Sequence, residues 1–194
     1  RWQAENGSAA SYVKHIESAP PDALGPAERA FIADRVSFYI SSVSASGWPY
    51  VQHRGGPRGF LHVLGPTQLG FADYRGNRQF ISAGNTDGDT RVALILMDYF
   101  NKRRLKLLGH ARFLPLDKAD PTLAATLSAT VAGPPERIVT IDLTAADWNC
   151  PQFIPELYEG EAVKAVVGGR IAALEAENAR LKAELAALQG GGDP

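Results

Sequence analysis

Residues Phe71 to Gln79 read Phe-Ala-Asp-Tyr-Arg-Gly-Asn-Arg-Gln. The pattern predicts a strand up to Asp73 and a short helix over 77–83, so Arg75 and Arg78 stand where strand gives way to helix. A helix N-terminus offers free backbone N–H groups and the positive end of the helix dipole. Guanidinium adds a planar, two-pronged donor that matches phosphate oxygens. These residues in this order can therefore seat the phosphate of a small ligand; the competing reading is two solvated surface charges.

A second segment, Gln52-His53-Arg54-Gly55-Gly56-Pro57, carries an extended run into paired glycines. Glycine lets backbone approach a flat ligand closely, and Gln and His can hydrogen-bond the edge of a heterocycle. Alone, the segment fits a hairpin turn with incidental polar residues better. No Gly-Lys-Ser/Thr follows, so it is not a Walker loop. A third segment, Trp148-Asn149-Cys150-Pro151-Gln152, holds an indole that can stack on a ring system or fasten the loop to the core. Cys150 is the single cysteine, which excludes an internal disulfide and a cysteine-rich zinc site. No histidine adjoins it, so a catalytic thiol is not expected. The four histidines show no HExxH spacing, and no metal is expected.

The elements that must position these groups are mostly short strands. A helix is expected over 8–18 and another from Pro26, a good first-turn residue, to about Arg35. Strands are expected at Ser37–Val43, Tyr50–His53, Phe60–Leu64, Leu69–Asp73, Leu105–Leu114 and Arg137–Leu143, with turn-forming residues between them. The apolar run Val92–Met97 reads as a strand buried on both faces. A helix over 121–131 is capped by Asp120 with Pro121 at its first position. Thr144 to Pro155 reads as irregular. The sum is a mainly β, α+β fold: a small barrel of antiparallel strands with peripheral helices.

The chain has 194 residues, 45% hydrophobic and 21% charged, with a net charge of −1. That composition suits one globular domain with appendages and gives no field that would draw nucleic acid or membrane. Arg75, Arg78, Arg103, Arg104 and Lys106 make a local basic cluster. No apolar run is long enough to span a bilayer, and a cytoplasmic location is the simplest expectation.

The tail carries a heptad seam. Ile171, Asn178 and Leu185 fall at a, and Leu174, Leu181 and Leu188 at d. A lone Asn at an a position favours a parallel, in-register dimer, because it can pair there with its own copy. Parallel pairing also sets Arg170 against Glu175 and Glu177 against Lys182, both attractive, and Glu184 against the neutral Gln189. The expected organisation is an N-terminal helical extension (1–25), a barrel domain (26–155), a linker (156–169), a parallel dimeric coiled coil (170–189) and a disordered tail (190–194). The helix of the coil would be roughly 27 Å long. As the seam is short, it should extend a homodimer made mainly by the barrel.

The three ligand-binding segments, in this order and on these elements, resemble the pyridoxamine 5′-phosphate oxidase-like family of FMN-binding split barrels, over about residues 27–155. The family's F-x-T-x-x-x-S-R-K stretch corresponds to Phe71–Gln79, with Arg78 at the Arg position and Gln79 at the usual Lys. Asn85 matches an Asn at the end of the following helix. The family's R-Q-V-x-x-x-G corresponds to Arg103-Arg104-Leu105-Lys106-Leu107-Leu108-Gly109, with Arg104 in place of Gln. The resemblance implies a homodimer with FMN at the subunit interface and an FMN-dependent oxidoreductase acting on a small molecule, with NAD(P)H a possible reductant. It implies that Arg75, Arg78 and Gln79, near Asp73, hold the phosphate. It places Gln52, His53, Arg54, Gly55 and Asn85 along the ring or ribityl chain, with Arg104 and Trp148 reaching in from the other subunit. His53 is the one candidate proton donor. The family's oxidase binds its pyridoxal phosphate through a C-terminal R-x-H; here Asn149-Cys150-Pro151-Gln152-Phe153 follows Trp148, so that substrate is not implied. The alternatives are a non-catalytic flavin-binding module, or the same barrel using deazaflavin or haem.

Overall fold

A computed structural model describes residues 2–6, 21–76, 78–129, 133–148, 151–158 and 160–190. The helix expected over 8–18, the Asn149-Cys150 pair and residues 191–194 of the expected tail lie outside the described residues. The chain divides into two units, residues 1–154 and 155–194.

The first unit holds α1 (Trp2–Glu5), α2 (Pro26–Ala33), β1 (Ser37–Val43), β2 (Pro49–Gly55), β3 (His62–Gly65), β4 (Gln68–Asp73), α3 (Ile81–Gly88), β5 (Arg91–Asp98), β6 (Arg103–Pro115), α4 (Pro121–Ser128) and β7 (Arg137–Trp148). All seven strands join one antiparallel sheet in the order β2-β1-β5-β6-β7-β4-β3. Its two ends meet through side chains. Phe38 on β1 packs edge-on against Phe71 on β4, with ring centroids 5.4 Å apart, and stacks on Phe60 at 5.7 Å. Arg54 on β2 reaches Asp73 on β4. The sheet thus curls into a barrel that is split between β2–β1 and β4–β3. Phe38, Ile40, Leu94, Leu96, Leu105 and Leu107 fill its interior by period-two alternation. Among the described residues no helix is long and apolar enough to cross a membrane.

Strand β7 differs from expectation, continuing through Thr144 to Trp148. An extra residue is accommodated by a register shift where Gly109 of β6 meets Leu143, and pairing then resumes up to Leu105 with Trp148. A Cβ on Gly109 would lie 2.5 Å from the carbonyl oxygen of Asp142, so close backbone approach dictates glycine.

The apolar run of β5 is not enclosed on both faces by this chain. Val92, Leu94 and Leu96 are buried, whereas Ala93 is exposed and Ile95 and Met97 are half-buried. Among the described helices, α4 packs over β4 instead, with Leu127 against Gly70. The strand enclosed on both faces is β7, where Ile138, Val139, Thr140 and Ile141 are all buried in succession.

The second unit contains α5, Gly160–Gly190. The stretch expected to be a linker, 156–169, is therefore helical from Gly160. Its residues 161–167 are mostly good helix formers, and Lys164 pairs with Glu161 across one turn at 2.7 Å.

Candidate functional site

Strand β2 alternates exposed and half-buried residues along its length. Tyr50, Gln52 and Arg54 face one side, and Val51, His53 and Gly55 the other. Arg54 turns towards the end of β4, where the Asp73 carboxylate is 5% exposed. Its Nη1 donates to Asp73 Oδ1 at 2.6 Å. From β7, Arg137 donates Nε to Asp73 Oδ2 at 2.9 Å and brings Nη2 within 2.8 Å of the same oxygen. Asp73 and Arg137 are cross-strand partners, so sheet register builds this half of the triad. A buried carboxylate needs such partners to remain charged.

The chain then crosses the mouth of the split. Arg78 (φ 59°) and Phe80 (φ 54°) both adopt left-handed backbone on either side of Gln79. For a residue as bulky as Phe this conformation is strained, and such strain concentrates at ligand clamps. Phe80 occupies the N-cap of α3 without a side-chain cap, which leaves the first-turn N–H groups facing the mouth. The guanidinium of Arg137 sits 4.6 Å from the Phe80 ring centroid and that of Arg78 5.8 Å. Within α3, Ser82 Oγ donates to Gln52 Oε1 at 2.7 Å, and Asn85 Nδ2 donates to Ser42 Oγ at 3.0 Å. These bonds hold the helix against β1 and β2.

The helix expected over 77–83 thus begins later, at Ile81. Left-handed backbone at Arg78 and Phe80 is incompatible with helix there, so Arg78 and Gln79 belong to the loop ahead of it.

Together Gln52, Arg54, Asp73, Arg78, Gln79 and the first turn of α3 line a cavity of about 210 Å³, with Tyr50, Tyr74, Gly76, Phe80, Phe113 and Arg137 also on its wall. Three arginines against one aspartate give it a positive surplus. The Arg54 Nε is buried and has no hydrogen-bond partner among the described residues. The chemistry available is anion binding at the mouth, hydrogen bonding from Gln52 and Arg54 along the wall, and apolar contact from the aromatic rings.

Five of the expected site residues meet here: Gln52, Arg54, Asp73, Arg78 and Gln79. Arg75 is exposed beyond β4 and is not on the cavity wall. Asn85 lies one turn inside α3, engaged with Ser42. His53 and Gly55 face the opposite side of β2, where the His53 ring packs edge-on against Tyr39 at 5.4 Å. Arg104 sits on the outer face of β6 beside Met97, its Nε buried and without a hydrogen-bond partner among the described residues. Trp148 ends β7, with its indole N–H donating to Glu28 Oε1 at 2.6 Å and its ring edge-on to Phe31 at 4.9 Å. The indole N–H, helped by backbone N–H groups of the α2 first turn, holds the Glu28 carboxyl below the usual glutamate range. Within one chain Trp148 thus fastens β7 to α2, the core role that its sequence position left open.

Arg137, Tyr50, Phe80 and Phe113 escaped the sequence reading. Arg137 had one signal: a charged residue opening an otherwise apolar strand. Nothing in the sequence tied it to Asp73, 64 positions earlier.

The family model described as pyridoxamine 5′-phosphate oxidase matches residues 24–147, which include every residue of the cavity wall. No curated protein matches the chain. Among solved structures, a candidate pyridoxamine 5′-phosphate oxidase from Lactobacillus delbrueckii is 18% identical and superposes with a TM-score of 0.52, covering 70% of this chain and 99% of its own. HupZ of Group A Streptococcus is 11% identical with a TM-score of 0.53, again covering 70% of this chain and 99% of its own. At these identities the two likenesses establish a shared fold.

Proposed function

The chain belongs to the pyridoxamine 5′-phosphate oxidase family, and on that premise we propose that it is a homodimeric flavoprotein which binds FMN in this cavity and acts as an oxidoreductase on a small molecule. One observation carries the reading. A positively charged mouth, formed by Arg78 and the first turn of α3, which has no side-chain cap from Phe80, opens onto a wall that presents Gln52 and Arg54. An anionic group at the mouth and a hydrogen-bonding ring edge on the wall would satisfy both, and FMN carries one of each.

The residues fit the group in four ways. Arg78 would donate to phosphate oxygens, and the N–H groups of Ile81, Ser82 and Ala83 would add the helix dipole. Gln79 stands at the same mouth. Gln52, held by Ser82, presents its amide along the wall, and Arg54 places a fixed positive charge beside the ring. Asp73 and Arg137 hold Arg54 in place and do not themselves need to touch the ligand. Bound FMN would supply hydride or electron transfer, and NAD(P)H is the reductant to test first.

The cavity argues for two copies. At about 210 Å³ it is smaller than the roughly 300–1,000 Å³ typical of sites that enclose a ligand of this size. On the outer sheet face, cross-strand rows bring together Val51, Ser41, Ala93 and Leu108, and beside them His53, Tyr39 and Ile95. Val51 is 61% exposed, Leu108 47% and Tyr39 40%, an apolar surface suited to a second sheet. A second copy there would cover it, and would bring Arg104 and His53 to the interface.

The non-catalytic reading keeps one supporting observation: His53, the candidate proton donor, faces away from the cavity of its own chain. The test begins with the absorption spectrum of the purified chain and mass identification of what it releases on denaturation. Flavin bands and FMN support the proposal; a colourless protein that no flavin reconstitutes overturns it. Anaerobic reduction by NAD(P)H followed by reoxidation with an acceptor separates the enzyme from the passive binder.

A further inference from the structure

Helix α5 begins at Gly160 and so extends the heptad seam upstream of the segment first assigned to it. Val167 falls at d and Lys164 at a, ahead of Ile171, Leu174, Asn178, Leu181, Leu185 and Leu188. The seam thus spans about three and a half heptads, enough for a stable pair of helices where the shorter stretch was marginal. Its apolar members stand in solvent: Val167 is 39% exposed, Leu174 41%, Leu181 49%, Ile171 51% and Leu185 55%. From Ile171 on, the opposite face carries Ala172, Ala173, Ala176, Ala179, Arg180 and Ala183, with Glu175 and Lys182 flanking the seam. From Ile171 on this is a one-sided stripe that calls for a partner helix, while upstream Val166, 82% exposed, lies off the seam.

We infer that the partner is α5 of a second copy of this chain, parallel and in register. Three features select that occupant. Asn178 is the single amide on the seam. In an antiparallel pair each a residue faces a d residue, and every d here is Val or Leu, so the amide would be buried without a partner. Only the parallel, in-register pair sets Asn178 against Asn178. Next, the flanking charges complement themselves: Arg170 meets Glu175 of the other copy, and Glu177 meets Lys182, with no like-charged pair among them. Finally, Ile171 at a with Leu174 and Leu181 at d is the branching pattern of two-stranded coils. Lys164 does not oppose this at the upstream end, because its ammonium is drawn to Glu161 on its own helix at 2.7 Å.

The inference does not depend on flavin binding, and its test reads the seam itself. In the full chain with Cys150→Ser, Leu181→Cys places a thiol at d, where only the parallel in-register pair sets it against its own copy. Ala176→Cys places one at f, away from the seam. With oxidised glutathione, Leu181→Cys should form covalent dimers at least about tenfold faster than Ala176→Cys. Equal rates, or no crosslinking of a Leu181→Cys chain that retains its native circular dichroism, overturn the inference. A charge swap checks the register. Glu177→Lys should slow crosslinking in the Leu181→Cys background, and adding Lys182→Glu should restore it. A Glu177→Lys effect that Lys182→Glu fails to reverse refutes the parallel pairing.

Discussion

Asp73→Ala tests the scaffold of the cavity. Asp73 is 5% exposed and accepts from Arg54 at 2.6 Å and from Arg137 at 2.9 Å. Removing one member of a buried ion pair costs about 3–5 kcal/mol, because the charge left behind is not rehydrated. Here two guanidinium groups are left, but each side chain is 19% exposed and can recruit some water. The lower end of the range, about 3 kcal/mol, is therefore expected. For a unit of this size 1 kcal/mol corresponds to roughly 2–4 °C, so Tm should fall by about 6–12 °C. Asp73→Asn keeps the shape and one acceptor oxygen, and should fall by less. Thermal unfolding followed by far-ultraviolet circular dichroism reads both. A shift below about 2 °C for Asp73→Ala would mean that the triad does not hold the split together, and the positioning role given to Asp73 would be wrong.

Arg78→Ala should weaken FMN binding by the loss of charge-assisted hydrogen bonds, about 1.5–3 kcal/mol or roughly 10- to 150-fold, while leaving riboflavin affinity nearly unchanged. Flavin fluorescence titration measures both, and an equal loss for riboflavin would remove Arg78 from the phosphate site. Gly109→Ala drives a Cβ to within 2.5 Å of the Asp142 carbonyl oxygen, a backbone atom held by the sheet, and should cost about 1–3 kcal/mol in chemical denaturation. The Glu28 carboxyl is held below its unfolded value chiefly by the Trp148 indole N–H. A carboxyl with a lowered folded pKa contributes stability that is present above the unfolded value, about 4.3, and lost as pH falls through the folded one. Trp148→Phe should therefore flatten the decline in Tm between about pH 5 and 3; an unchanged pH profile would contradict the assignment.

Much of the fold was legible from local pattern. Gly and Pro punctuation marked the hairpins and bounded β4 and β6, alternation gave β1, and a continuous apolar run gave β5, each close to its observed bounds. What failed depended on distant contacts or on unusual backbone. The β7 extension to Trp148 required β6 to reach that far, and no local signal in Thr144–Trp148 announces a partner. The late start of α3 follows from left-handed Arg78 and Phe80, which helix propensity disfavours only weakly. The site was half legible. Gln52, Arg54, Asp73, Arg78 and Gln79, which the resemblance named, line one cavity. His53 and Gly55 could have been set apart from Gln52 and Arg54 by the two-residue period of the strand alone. Asp73 carried its own clue, since a carboxylate at the end of an apolar strand needs a cation, but which cation is a matter of register.

The most direct measurement is sedimentation velocity of the purified chain mixed with FMN, recorded at protein and flavin wavelengths together. Flavin absorbance should travel with a species of twice the chain mass, at one FMN per chain. Flavin that stays spread evenly through the cell while the protein sediments as a single copy would contradict the central claim, a nucleotide held between two barrels.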